Sequence, residues 1–183
     1  FFAADEPTIV FVGKLIENKG VQVFFDALRD VDARAVIVGF GDYRAELEAR
    51  APARVLFTGA LEHRHLVHLL PLADVSVVPS IFPEAFGMVA AEAAAAGVPP
   101  VVADHSGLAE VAAGIAAEYP AEFRYLTSFP TGDADALRER LRALLALTPA
   151  ERRALGSAAR RAVERNWSWT RVAERLLEPL ASG

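Results

Sequence analysis

Short, β-branched apolar runs alternate with amphipathic stretches over most of this chain, and that alternation limits the fold more than any other feature. The first run, Thr8-Ile9-Val10-Phe11-Val12, is brief, apolar and ended by Gly13, which marks a buried strand. Over residues 20–29, Val21, Phe24, Phe25 and Leu28 recur at spacings that share one helical face. The unit then repeats: strands over 35–38, 55–58, 75–78 and 100–103, helices over 42–50, 62–70, 87–96 and 108–113, and a last strand over 124–127. Apolar strands separated by helices of this length predict a parallel sheet covered on both faces. The expected class is therefore α/β, a doubly wound, Rossmann-like sheet of about six strands. From residue 133 the pattern is helical only, over 133–147, 149–165 and 169–180. Thr148-Pro149-Ala150-Glu151 supplies an N-cap, a first-turn proline and a carboxylate behind it. Residues 116–130 are the least regular stretch.

At 183 residues and 53% hydrophobic content the chain holds one domain's worth of sequence and enough apolar surface for one core. It opens on Phe1-Phe2, which runs into the first strand, and reads as a piece of a longer protein. The alanine-rich stretch 90–103 is interrupted by Glu92, Gly97, Pro99 and Pro100, so no transmembrane segment is expected there. The absence of cysteine removes disulfides and thiolate metal sites and fits a cytoplasmic location. A net charge of −5 argues against nucleic acid as a partner. The arginines of the last helices alternate with Glu139, Glu151, Glu164 and Glu174, the pattern of solvated helix faces. Of the 19 basic residues, only Lys14 and Lys19 are lysines, and both follow the first strand.

Ligands of open parallel sheets bind beyond the carboxyl ends of the strands. There the sequence places Gly13, Lys14 and Lys19 after the first strand, Ser80 and Glu84 after the fourth, and Asp104, His105 and Ser106 after the fifth. The segment Pro83-Glu84-Ala85-Phe86-Gly87-Met88-Val89-Ala90-Ala91-Glu92 puts one acid in a loop and a second inside an apolar helix. The start of that helix offers unpaired N–H groups and the positive end of a dipole, which suit an anion such as a diphosphate. Lys14 and Lys19 would bring two cations to the same anion, and Glu92 could accept hydrogen bonds from a diol. Gly39-x-Gly41 follows the second strand and lacks a third glycine, so it reads as a turn. His63, His65 and His68 have only Glu62 beside them and read as an exposed helix face, with no metal site. His105 reads as a loop residue, and Trp167 and Trp169 as packing anchors for the last helix.

Glu84-x7-Glu92, Val12-Gly13-Lys14 with Lys19-Gly20, and Ala73-Asp74-Val75 leading to Pro79-Ser80 resemble the donor domain of family 4 (group 1) retaining glycosyltransferases of the GT-B fold. The resemblance implies that residues 1–183 form the C-terminal, nucleotide-sugar-binding domain, with an N-terminal acceptor domain absent. It implies that Glu92 binds the ribose hydroxyls and Glu84 the donor sugar, while amides around Phe86, Gly87, Met88 and Val89 hold sugar and diphosphate. Lys14 and Lys19, with the Gly13 turn, would stabilise the leaving nucleoside diphosphate in place of a metal, and no cofactor is expected. The base would lie near Arg54, Val55 and Leu56 and the segment 62–66, which ends at Leu66. UDP is the favoured nucleotide, ahead of GDP or ADP. The family usually has arginine at the position of Lys14 and a glycine pair where this chain has Ser106-Gly107. Two alternatives stand beside sugar transfer: a sugar-nucleotide epimerase of the same architecture, and a non-catalytic module that senses nucleotide sugars.

Overall fold

The computed structural model describes residues 6–181; the expected lead-in from Phe1-Phe2 lies outside them. Six strands form one sheet: β1 (Thr8–Val12), β2 (Arg34–Val38), β3 (Val55–Gly59), β4 (Val75–Val78), β5 (Pro100–Ala103) and β6 (Ser128–Phe129). Their order is β3-β2-β1-β4-β5-β6, and every neighbouring pair is parallel. This is the doubly wound Rossmann-like order, whose direction of growth reverses between β1 and β4.

The described residues form eight α-helices: α1 (Val21–Ala27), α2 (Arg44–Arg50), α3 (His63–Leu69), α4 (Met88–Ala95), α5 (Ser106–Ala116), α6 (Ala134–Ala146), α7 (Pro149–Asn166) and α8 (Trp169–Ala181). Successive side chains of a strand point to opposite faces, and both faces are apolar here. Ile9, Phe11, Ala35 and Ile37 enter the larger core with Phe24, Leu108, Leu137 and Leu141. Val10, Val36 and Val38 enter a smaller one with Leu66, Leu70, Ala93 and Val98. Burying a side chain of this size contributes about 1.5–3 kcal/mol, so β1 and β2 are held from both sides.

The small residues of α4 set how closely it is covered. Ala90, Ala91, Ala93 and Ala94 are all buried, and α7 lies directly against the helix. At Gly156 of α7 an added Cβ would stand 1.9 Å from the Gly97 carbonyl oxygen, so only glycine permits that approach. The expected start of α7 is present as a full capping box: Thr148 accepts from the Glu151 N–H, and Glu151 accepts from the Thr148 N–H.

Three expectations need correction. The last strand was expected over 124–127, but Ala121–Thr127 is a 3-10 helix and the strand follows at Ser128–Phe129. Within that helix Phe123 and Leu126 face inward three residues apart, which is the period of the tighter helix rather than of a strand. Helix α5 runs on past residue 113 through Gly114 to Ala116, and the Trp167 ring fills the space beside that glycine: an added Cβ would meet it at 2.5 Å. Trp167 is thus a packing anchor, set edge-on to Phe86 at a centroid distance of 5.6 Å. Trp169 is not one. It is 86% exposed and shares α8 with the exposed Leu176 and Leu177.

The amino edge of the sheet is tied by charge. Asp74 accepts the Thr8 N–H at 2.9 Å and meets the Arg152 guanidinium of α7 at 3.2 Å. Arg152 also donates to the carbonyls of Leu145 and Leu147, so one carboxylate links β1, β4 and the α6–α7 turn.

Candidate functional site at the carboxyl ends of β1 and β4

β1 and β4 are neighbours, and the loops that leave their carboxyl ends are joined by backbone. The Ile81 N–H donates to the Asn18 carbonyl at 2.9 Å. Gly20 has φ 70°, and a Cβ there would stand 1.9 Å from the Pro79 carbonyl oxygen. Only glycine lets the Lys19 turn close on the Pro79 loop. Lys19 is thereby carried to Glu84, 65 positions on: its Nζ donates to Glu84 Oε1 at 2.5 Å.

The Ser80 hydroxyl, buried at the end of β4, donates to the same Oε1 at 2.7 Å. Among the described residues both donors therefore fall on one oxygen of Glu84, and Oε2 is left to accept from a ligand. Partial burial pushes the Glu84 carboxyl up, but the hydrogen bonds from Lys19 and Ser80 and the charge of Lys19, joined by that of His105 whenever its ring is protonated, outweigh it and hold it below the usual carboxylate range. Glu84 is an acceptor poised for hydroxyl groups, not a proton donor near neutral pH.

The pair borders a cleft of about 550 Å³ at the point where strand order reverses. Gly13, Lys14 and Val12 form one wall; Phe86, Gly87, Met88 and Val89 form the other. Lys14 is exposed. Gly87 is the N-cap of α4 with φ 97°, so the helix begins at the cleft wall. The N–H groups of Met88 and Val89, in its first turn, have no carbonyl four residues back within the helix. Two ammonium groups and a helix amino end thus converge on one volume, an arrangement that stabilises an anion.

Eight of the sequence-predicted residues meet in this cleft: Gly13, Lys14, Lys19, Glu84, Phe86, Gly87, Met88 and Val89. Glu92 and Leu66 do not line it. They border a groove of about 420 Å³ between α3 and α4, one turn further along α4. Leu66 is 9% exposed and belongs to the smaller core.

Arg54, Val55 and Leu56 reach neither cavity, which corrects their expected place beside a base. They open β3, so in a parallel sheet they stand at the edge opposite the cleft. Arg54 is bound there by Asp32 at 2.8 Å and by Glu6. The carboxyl end of β3 is Gly59, which pairs with Val38. The expectation fixed on the strand's first residues, whereas ligand contacts come from its last. Ser80 had no role assigned from sequence; its signal was its place just after a strand, four residues before Glu84.

Among the described residues no three His, Asp or Glu side chains gather as a metal site, and His63, His65 and His68 are exposed on α3. No helix among them is long and apolar enough to cross a membrane.

A doubly wound sheet with a cleft at its switch point defines the class: an α/β domain of the GT-B glycosyltransferase kind. More narrowly, the chain belongs to the glycosyl transferases group 1 family, whose model matches residues 1–162. It is 32% identical over 99% of its length to a GDP-mannose-dependent monoacylated alpha-(1-6)-phosphatidylinositol monomannoside mannosyltransferase of Corynebacterium glutamicum, and covers 49% of that protein. It is 40% identical over 58% of its length to a D-inositol 3-phosphate glycosyltransferase of Xylanimonas cellulosilytica, covering 28% of it. Its fold is similar to that of a sucrose-phosphate synthase from Thermosynechococcus elongatus, with a TM-score of 0.80 and 27% identity over 98% of this chain and 46% of that one. It is also similar to Anabaena HepE solved with UDP, with a TM-score of 0.82 and 22% identity over 98% of this chain and 50% of that one. The chain spans about half the length of the relatives it matches end to end.

Proposed function

We propose that this chain is the C-terminal, donor-binding domain of a retaining glycosyltransferase that takes its sugar from a nucleoside diphosphate. The observation that carries the reading is the convergence of Lys14, Lys19 and the first turn of α4 on the cleft beside Glu84. A diphosphate fits that volume by charge. In transfer, the bond between the sugar's anomeric carbon and the diphosphate oxygen breaks through an oxocarbenium-like state, and its electron pair leaves with the diphosphate. The acceptor hydroxyl then bonds to the same face of the sugar and passes its proton to the departing diphosphate oxygen. The two lysines and the helix dipole stabilise the departing charge, and for that reason no metal is assigned a role.

Glu84 Oε2 receives hydroxyls of the sugar. Glu92, in the adjoining groove, receives the ribose, and the base lies between the carboxyl end of β3 and the start of α3, near Leu66. A second domain, N-terminal to this one, would hold the acceptor; without it the chain binds donor and transfers little. A cytoplasmic location follows from a soluble sugar nucleotide as substrate.

Titration calorimetry with UDP, GDP and ADP tests the assignment. At least one should bind with a micromolar to millimolar constant, and Glu92→Ala should weaken it about tenfold, the loss of one charge-assisted hydrogen bond. UDP is the first candidate because HepE is solved with it, and GDP the second because the Corynebacterium relative is named as GDP-mannose-dependent. Absence of binding by all three, or an unaltered affinity in Glu92→Ala, overturns the site.

A further inference from the structure

His105, the N-cap of α5, spans the two loops that carry the site. Its Nε2 lies 2.7 Å from the Ser80 carbonyl oxygen. A carbonyl only accepts, so the neutral ring carries its proton on Nε2. Its Nδ1 is then an acceptor, and the Ser106 hydroxyl, 2.8 Å away, donates to it. The same Ser106 oxygen accepts the Glu84 N–H at 2.9 Å. The next residue completes the clamp: the Gly107 N–H donates to the Glu84 carbonyl at 3.0 Å. A Cβ at Gly107 would stand 2.5 Å from both the Ala85 carbonyl oxygen and Phe86 Cα, so the two loops touch.

Both main-chain groups of Glu84 are thus held from α5, and its side chain is held by Ser80 and Lys19. Ser80 is the hinge between the two sets, since its carbonyl accepts from His105 and its hydroxyl donates to Glu84. Ser106 has φ 45°, a left-handed conformation that an L side chain adopts at a cost. Glycine would relieve that strain but would remove the hydroxyl that joins His105 to Glu84.

We propose that His105 is a positioning residue for Glu84: through Ser80 on one side and Ser106 on the other it fixes the direction in which the free carboxylate oxygen meets the donor sugar. The role rests on the donor-site reading above and adds to it a residue that need not touch the donor. It predicts an effect on the sugar, and none on the nucleotide.

Two measurements test it. Nitrogen-15 spectra of the unmodified chain should show the His105 ring in the Nε2–H tautomer; an Nδ1–H ring overturns the relay. Calorimetry then compares UDP with UDP-glucose, and GDP with GDP-mannose, using whichever pair the unmodified chain binds more tightly. His105→Ala should leave the affinity for the bare nucleotide unchanged and weaken the nucleotide sugar about tenfold, the size of one misdirected charged hydrogen bond. His105→Gln, whose amide can still donate to the Ser80 carbonyl, should recover part of that loss. Ser106→Gly, which accepts φ 45° without strain, should change the ratio in the same direction as His105→Ala and covers the case in which the alanine variant does not fold. A ratio that stays constant, or affinities for nucleotide and nucleotide sugar that fall together, overturns the positioning role while leaving the donor site intact. Failure of the unmodified chain to bind either pair is a different result: it removes the donor reading and this role with it.

Discussion

At the amino edge of the sheet Asp74 accepts on both oxygens, from Thr8 and from Arg152; at the carboxyl edge Glu84 accepts from Lys19 and Ser80 on one oxygen and keeps the other. The contrast extends to the cations. Arg152, Arg138 and Arg142 spend their guanidinium groups on backbone carbonyls, and Arg54 is bridged to Asp32. Lys14 projects into the cleft and is exposed. Charges at one edge close the fold. At the other they are placed with capacity to spare, as a binding site requires and a stable core does not.

The sharpest way to break this comparison is to remove Asp74. Arg152 has only 11% of its side chain exposed, and leaving a charge this buried without its carboxylate costs about 3 kcal/mol. In a chain of this size that lowers the melting temperature by roughly 10 °C. Asp74→Ala should therefore melt early in calorimetry while its folded form binds nucleotide with unaltered affinity. Equal losses in both would mean that the two edges are not separate in function.

Lys19→Ala is the converse. Its ion pair with Glu84 is partly solvated, with side-chain exposures of 30% and 20%, so stability should change by less than about 1 kcal/mol. Affinity for the nucleoside diphosphate should fall about thirtyfold, because a charge-assisted contact to phosphate is lost. The same residue governs the titration of Glu84. Burial alone would raise that carboxyl, and Lys19 is the first cause of its net lowering. A lowered folded value means that the pair adds stability above the ordinary carboxylate range, and that this is lost as pH falls through the lowered folded value. In Lys19→Met the Glu84 midpoint should move upward, which carbon-13 spectra of the side-chain carboxyl would read. An unmoved midpoint would show that Ser80 and His105, rather than Lys19, set the charge of the site.

The difference between the edges also explains what was legible in the sequence. The strands β1, β2, β4 and β5 are mostly apolar and almost wholly buried, so the alternation alone locates them within a residue. The Lys19–Glu84 cleft was legible because parallel strands deliver every carboxyl end to one edge, and the unusual residues collect there. Arg54 was misplaced because an arginine next to a strand looks the same at either end until the strand's direction is applied. Ala121–Thr127 was misread because a 3-10 helix packed every third residue leaves no signal of period two. The tie from His105 through Ser106 to Glu84 spans 22 positions and rests on tautomer and hydroxyl geometry. No spacing rule encodes such a contact.

The smallest expected effect would sharpen the comparison rather than break it. Lys14 lies on the cleft wall as a mobile point charge, whereas an arginine presents a planar fork that matches two phosphate oxygens at once. At the amino edge Arg152, Arg138 and Arg142 have no such freedom, since their guanidinium groups are already committed to backbone carbonyls. At the carboxyl edge the spare capacity predicts that Lys14→Arg is tolerated without loss of stability and tightens nucleoside diphosphate binding about threefold, the gain of a second parallel hydrogen bond at a solvent-exposed position. The gain should shrink as salt is raised from low to physiological concentration, because an exposed cation is screened. A weaker complex in Lys14→Arg would mean that the ammonium group is enclosed by the bound ligand, and that the wall formed by Gly13 and Lys14 is as tightly fitted as the edge that holds Asp74.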